Sequence, residues 1–97
     1  MSYKKATVTV KMPGKPTPAY TIRPSWRKFK KYAATLRDGR VVHFGDSRYG
    51  QYRDKTRSGT YAAMDHGDDT RKKNYYARHG KKAGKHTAKW FAHKYLW

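Results

Sequence analysis

The residues that could do chemistry here are few: five histidines and six aspartates, with no cysteine and no glutamate. Asp65-His66, followed by Asn74 and His79, is a set that could attack a phosphodiester. In such a site a histidine activates water while a metal steadies the leaving phosphate. The interval is too short for the hairpin that site needs, and no second acidic ligand is in view. Asp65 and His66 are therefore expected to satisfy turn and cap hydrogen bonds. His79, His86 and His93 recur every seven residues, but Gly80 and Gly84 break any helix that could line them on one face. Structural zinc without cysteine is uncommon. Gly45-Asp46-Ser47 has the wrong neighbours for a nucleophile elbow, and no Walker-type phosphate loop is present. The expectation is a protein that is no enzyme and holds no cofactor or metal.

What remains is charge. Twenty-four Lys and Arg against six Asp give +18. Residues 1–37 hold ten bases and no acid, residues 70–97 nine bases and no acid, and residues 38–69 carry a net −1. Two cationic blocks flank a nearly neutral middle. Self-repulsion on this scale destabilises a compact monomer and favours an acidic or polyanionic partner. The candidate anion- and partner-binding residues are Lys4, Lys5, Lys11, Lys15, Arg27, Lys28, Lys30 and Lys31 in the first block. In the second they are Arg71, Lys72, Lys73, Arg78, Lys81, Lys82 and Lys85. Trp26, Trp90 and Trp97 are the candidate aromatic contacts.

These residues must be positioned by a small scaffold. Ninety-seven residues make one domain with a modest core. Aromatics are 15% of the chain, and only Ile22, Leu36 and Leu96 represent their two types, so Tyr, Trp and Phe must supply most of the core. Aromatics among bases suit stacking on single strands, yet the core needs most of them. No apolar run approaches the roughly 18 residues of a membrane span. The first ten residues lack the apolar stretch of a secretory signal.

The clearest element is a hairpin over about residues 31–45. Two runs, Tyr32–Leu36 and Val41–Phe44, flank Arg37-Asp38-Gly39-Arg40. A type I′ turn at Asp-Gly would set Leu36 opposite Val41, Ala34 opposite His43 and Tyr32 opposite Gly45. Before it, Ala6–Met12 alternates like a strand, and Pro13–Pro18 is a loop. Ala19–Arg23 is then either a return strand, with Tyr20 and Ile22 inward, or part of an extended arm that orders on a partner. Trp26 and Phe29, three apart, would stack on one helical turn; packing into the core is the favoured reading and base stacking the alternative, with Arg27, Lys28, Lys30 and Lys31 as a cationic rim. After the hairpin, Asp46 could cap a turn carrying Tyr49 and Tyr52. Thr60–Met64 reads as one helical turn, with Tyr61 and Met64 toward the core.

The first full helix is expected over Asp69–His79, with Asp68 as N-cap and Gly80 as stop. Tyr75 and Tyr76 would face the hairpin, and the basic residues solvent. A second helix follows a basic linker over Ala88–Leu96, with Thr87 as its cap and Phe91 and Tyr95 inside. The fold class is α+β: a basic Pro-containing arm over 1–24, then a small domain over 25–97.

The order Tyr32, Asp38-Gly39, Val42, Phe44-Gly45, Tyr49, Tyr52, then Asp68, Arg71-Lys72, Asn74-Tyr75, Ala77-Arg78-His79, then Thr87-Ala88, Trp90, Tyr95-Leu96-Trp97 resembles the small basic proteins of nucleocytoplasmic large DNA viruses. The resemblance covers about residues 30–97, with an insertion at Lys55–Asp65. It implies a viral setting and a virion location after assembly in the infected cell, and it implies no enzyme. The favoured expectation is a minor capsid or cement-type structural protein bridging acidic surfaces of capsid or other virion proteins within a larger assembly. A sequence-independent DNA-binding or DNA-condensing protein and a ribosome-associated protein are the alternatives.

Overall fold

The computed structural model describes residues 18–97. The Ala6–Met12 strand expected from the sequence lies outside them. The described chain is α+β. A three-stranded antiparallel sheet runs in the order β1 (Tyr20–Pro24), β2 (Lys30–Leu36), β3 (Val41–Asp46). A single 3-10 turn, Ala62–Met64, then α1 (Asp69–His79) and α2 (Ala88–Tyr95) complete it.

The return strand is thus the reading that holds for residues 20–24. They pair with β2, Tyr20 opposite Leu36 and Pro24 opposite Tyr32, so the end of the stretch read as an arm is the first strand of the sheet. Pro24 can sit there because β1 is an edge strand and needs no outward donor.

The hairpin forms where expected, but one residue out of register. Tyr32 faces Phe44 and Ala34 faces Val42, rather than Gly45 and His43. The cause is the turn. Leu36 accepts from the N–H of Gly39 at 2.9 Å and donates to Arg40 O at 2.8 Å. Gly39 has φ 96°, and Asp38 is not in the positive-φ region. This is a type I turn followed by a left-handed glycine, a three-residue loop that shifts the pairing by one. Asp38 is freed to accept from the N–H of Arg40 at 3.0 Å.

The corrected register decides the core. Tyr32, Ala34, Leu36 and Phe44 share a buried face, closed by Phe91 of α2 and by Leu96. Phe44 and Phe91 stack at 5.4 Å, and Tyr20 meets Phe91 edge-on at 4.9 Å. Each such ring contributes about 1.5–3 kcal/mol by leaving water. As expected, Phe91 is inside, and Tyr95 packs against the core with its hydroxyl 2.6 Å from that of Tyr20.

Both helices start as their caps dictate. Asp68 accepts from the N–H groups of Thr70 and Arg71, and Thr87 from that of Trp90. Gly80 ends α1 with φ 76°. The last carbonyls at the end of α2 are met by the segment after the hairpin: Lys55 N–H donates to Tyr95 O at 2.9 Å and Arg53 N–H to Leu96 O at 3.1 Å. Tyr75 borders the base of the hairpin, sharing a cavity with Lys31, Gly45 and Asp46. Tyr75 stacks on Trp97, and Tyr76 packs against His93, because α1 lies beside α2 and the C-terminal residue. Among the described residues no helix is long and apolar enough to cross a membrane.

Candidate anion-binding surface

The electrostatics begin with where the acids go. All six aspartates fall among the described residues, and each already has a role. Asp38 pairs with Arg40, and Asp46 with Arg48, both at 2.9 Å. These are the ion pairs among the described residues. The Asp46 carboxyl is held down at about 2 by hydrogen bonds from the Arg48 guanidinium and N–H. Asp46 therefore caps its turn as expected, though the segment carries no helical piece. Asp68 caps α1, and Asp69 accepts from Tyr52 OH at 2.8 Å.

Asp54 and Asp65 belong to an internal network that the sequence did not announce. Asp54 accepts from Tyr32 OH, from the Thr56 hydroxyl and from the N–H of Tyr61. Asp65 accepts from the N–H of Asp54 at 2.7 Å and from Gln51 Nε2 at 2.6 Å. Gln51 in turn accepts from Lys31 Nζ. Lys31 is 1% exposed, so it is a strut of the fold and leaves the anion-binding set. Burial lowers its pKa, against the raising effect of Asp46, Asp54 and Asp65. Strand alternation alone would put Lys31 outside. Close packing at Gly45 of β3 encloses it instead: a Cβ there would lie 3.1 Å from Lys31 Cβ and 2.8 Å from Leu96 Cδ1.

Among the described residues, none of the candidate cations of α1 and the following loop is in an ion pair. Arg71, Lys73 and Arg78 are exposed on α1, and Lys72 lies over the Tyr52 ring at 4.4 Å. Lys81, Lys82 and Lys85 are exposed in the loop before α2. Lys81 and Lys82 join Trp90, His93 and Lys94 around an open cleft. His93 braces it, its Nε2 2.9 Å from Gly80 O and its Nδ1 3.1 Å from Tyr75 OH. Burial lowers the His93 pKa and favours the neutral ring. Lys4, Lys5, Lys11 and Lys15 lie outside the described residues.

A second cationic cluster sits at the far end of the sheet. Arg27 and Lys28 are exposed and Lys30 half-buried, next to the Asp46–Gly50 turn. Trp26 and Phe29 are not core, as the sequence suggested: they are 68% and 43% exposed. Phe29 has φ 65°, which breaks the helical turn that would have stacked the two rings. Arg48 lies 4.4 Å from the Phe29 ring, and Tyr49 is 65% exposed beside it. Arg48 and Tyr49 were missed as contact residues because the left-handed phenylalanine beside them has no sequence signature. Of the other tryptophans, Trp90 packs edge-on against Phe91 at 5.0 Å, and Trp97 lies on Tyr75, so both are partly buried parts of the scaffold.

The histidines have local roles. His79 packs on Tyr75, His86 stacks on Phe91, and His66 Nδ1 accepts from the N–H of Asp68 at 3.0 Å. Among the described residues no three His or Asp converge on a metal position.

A family model matches residues 20–79, from the first residue of β1 to the last of α1. The chain belongs to the DUF5754 family, a family of unknown function. No curated protein and no solved structure matches it. The family segment takes in the whole sheet, the internal network, the Trp26 loop and α1, and stops before the loop that carries Lys81 and Lys82.

Proposed function

We propose that the chain is a non-enzymatic structural protein of a virus particle, of minor capsid or cement type, whose cations bridge acidic surfaces of capsid or other virion proteins. One observation carries the reading: the ion pairs among the described residues are Asp38–Arg40 and Asp46–Arg48, so the cations of α1 and the following loop have no paired acid. A surface kept this cationic is complementary to something acidic. The resemblance to small basic proteins of nucleocytoplasmic large DNA viruses supplies the setting. The test is gentle fractionation of purified particles. This protein should leave with the shell and be released by moderate salt; recovery with the genome fraction would overturn the reading.

The cleft at Lys81, Lys82, Lys94 and Trp90 favours a second reading, sequence-independent DNA binding. It requires that log K for duplex DNA fall linearly with log salt, by about 0.9 per neutralised phosphate. A flat salt response would remove it.

A further inference from the structure

The loop Ser25–Phe29 and the turn Asp46–Gly50 are far apart in sequence and adjacent in the fold. Lys30 pairs with Asp46, and Ser47 N–H donates to Phe29 O at 3.1 Å. Together they present Trp26 and Tyr49, both about two-thirds exposed, in a chain whose other large rings are mostly packed into the core. The support beneath them is built. Trp26 meets His43 edge-on at 4.9 Å, and His43 Nδ1 is 2.8 Å from Ser25 Oγ. Arg48 is held two-pronged by Asp46 while lying over Phe29. Phe29 itself occupies a left-handed backbone that costs a phenylalanine free energy, and its ring is not buried in return. Strain without burial gathers at sites that touch something else.

We infer that this end of the sheet is a contact surface for single-stranded nucleic acid, with Trp26 and Tyr49 as stacking platforms and Arg27 and Lys28 on the phosphates. The occupant follows from two requirements. The patch is cationic, its one acid being tied to Arg48, so the partner is an anion. It offers flat exposed rings, so the partner offers flat faces. An acidic peptide supplies charge without regular π-faces, and a duplex hides its bases in the stack. A single strand supplies both, and base–aromatic stacking is tolerant of sequence. The inference stands apart from the virion reading, since a strand contact here is compatible with any acidic partner on α1.

The test uses the full chain and a labelled oligothymidylate of about 20 nucleotides, read by anisotropy across a salt series. Trp26→Ala with Tyr49→Ala is expected to weaken binding roughly tenfold or more, with the salt slope unchanged. Trp26→Phe should recover most of the loss. Arg27→Gln with Lys28→Gln should lower the slope instead. Both positions are exposed, and an unchanged melting temperature verifies the fold. Wild-type affinity in the double aromatic variant overturns the inference. So does an equal loss on a 20-base-pair duplex, or an equal loss on polyglutamate, which would make the patch a protein-docking site. Particle fractionation is decided separately, so failure here leaves the shell assignment standing.

Discussion

Trp97 lies flat on Tyr75, with ring centroids 4.4 Å apart and planes 7° from parallel. This contact, with Tyr75 and Tyr76 against His93 and Asp69 hydrogen-bonded to Tyr52 OH, ties α1 to the rest of the fold. Tyr75 is buried, and its hydroxyl is pushed up to about 12 by that burial. Trp97→Ala should cost about 2 kcal/mol, the sum of lost ring burial and the stacking preference. The loss should be local. Amide exchange in α1 is expected to accelerate more than in β2 and β3, and uniform acceleration would mean that α1 is held by something other than this stack.

Lys31 gives a pH signature. Burial depresses its pKa, so between that depressed value and 10.5 the unfolded chain binds the extra proton, and stability rises with pH. Tyr75 acts in the opposite sense. Its unfolded form ionises near 10 while the folded form stays neutral to about 12, so stability falls above pH 10. Urea midpoints should therefore climb to a maximum just below pH 10 and then drop. Lys31→Met should flatten the climb and leave the drop. It should also cost about 1–3 kcal/mol at neutral pH, because Gln51 Oε1 is left buried without its donor. Pairing it with Gln51→Met should recover part of that cost in a double-mutant cycle.

Asp54 sets the acid limb. Burial pushes its carboxyl up, but hydrogen bonds from Thr56, Tyr32 and Tyr61 outweigh this and hold it below the usual value. A depressed carboxyl contributes stability that is fully present above about pH 4 and lost as pH falls through the folded pKa. Asp54→Asn should lower stability by about 2 kcal/mol at pH 7 and leave a shallower loss below pH 4. Chemical denaturation at pH 7 and pH 3 checks both. An unchanged acid limb would assign that limb to other carboxylates, such as Asp46.

The elements legible in the sequence were those set by local chemistry. Asp68, Thr87 and Gly80 mark helix ends because caps act over three or four residues, and the structure uses all three. Asp38-Gly39 marked a hairpin for the same reason. The register read from it was one residue out, because a two-residue loop and a three-residue loop can both use an Asp-Gly pair. The surface was less legible. Lys31 reads as one more basic residue, and only the close approach of Gly45 and Leu96 shows that it is enclosed. Trp26 and Phe29 read as core because large rings usually are. Phe29 instead takes a left-handed backbone angle, which is incompatible with the helical turn that would have stacked the two rings.

That angle makes a prediction with an unusual sign. At most exposed positions alanine is at least as stable as glycine, since glycine loses more backbone freedom on folding. At φ 65° the order should reverse, because the left-handed conformation costs a residue with a Cβ about 1–2 kcal/mol. Phe29→Ala keeps that cost and loses the contacts of the ring with Arg48 at 4.4 Å and Lys28 at 4.9 Å, each about 0.5–1 kcal/mol at an exposed site. Phe29→Gly loses the same contacts but relieves the strain, so it should stay within about 1 kcal/mol of wild type and exceed Phe29→Ala by about 1 kcal/mol. Thermal unfolding of the two variants decides it. If alanine proves the more stable, the left-handed backbone at Phe29 is not a strained state, and the argument from strain to contact surface loses its footing while the exposure of Trp26 and Tyr49 remains.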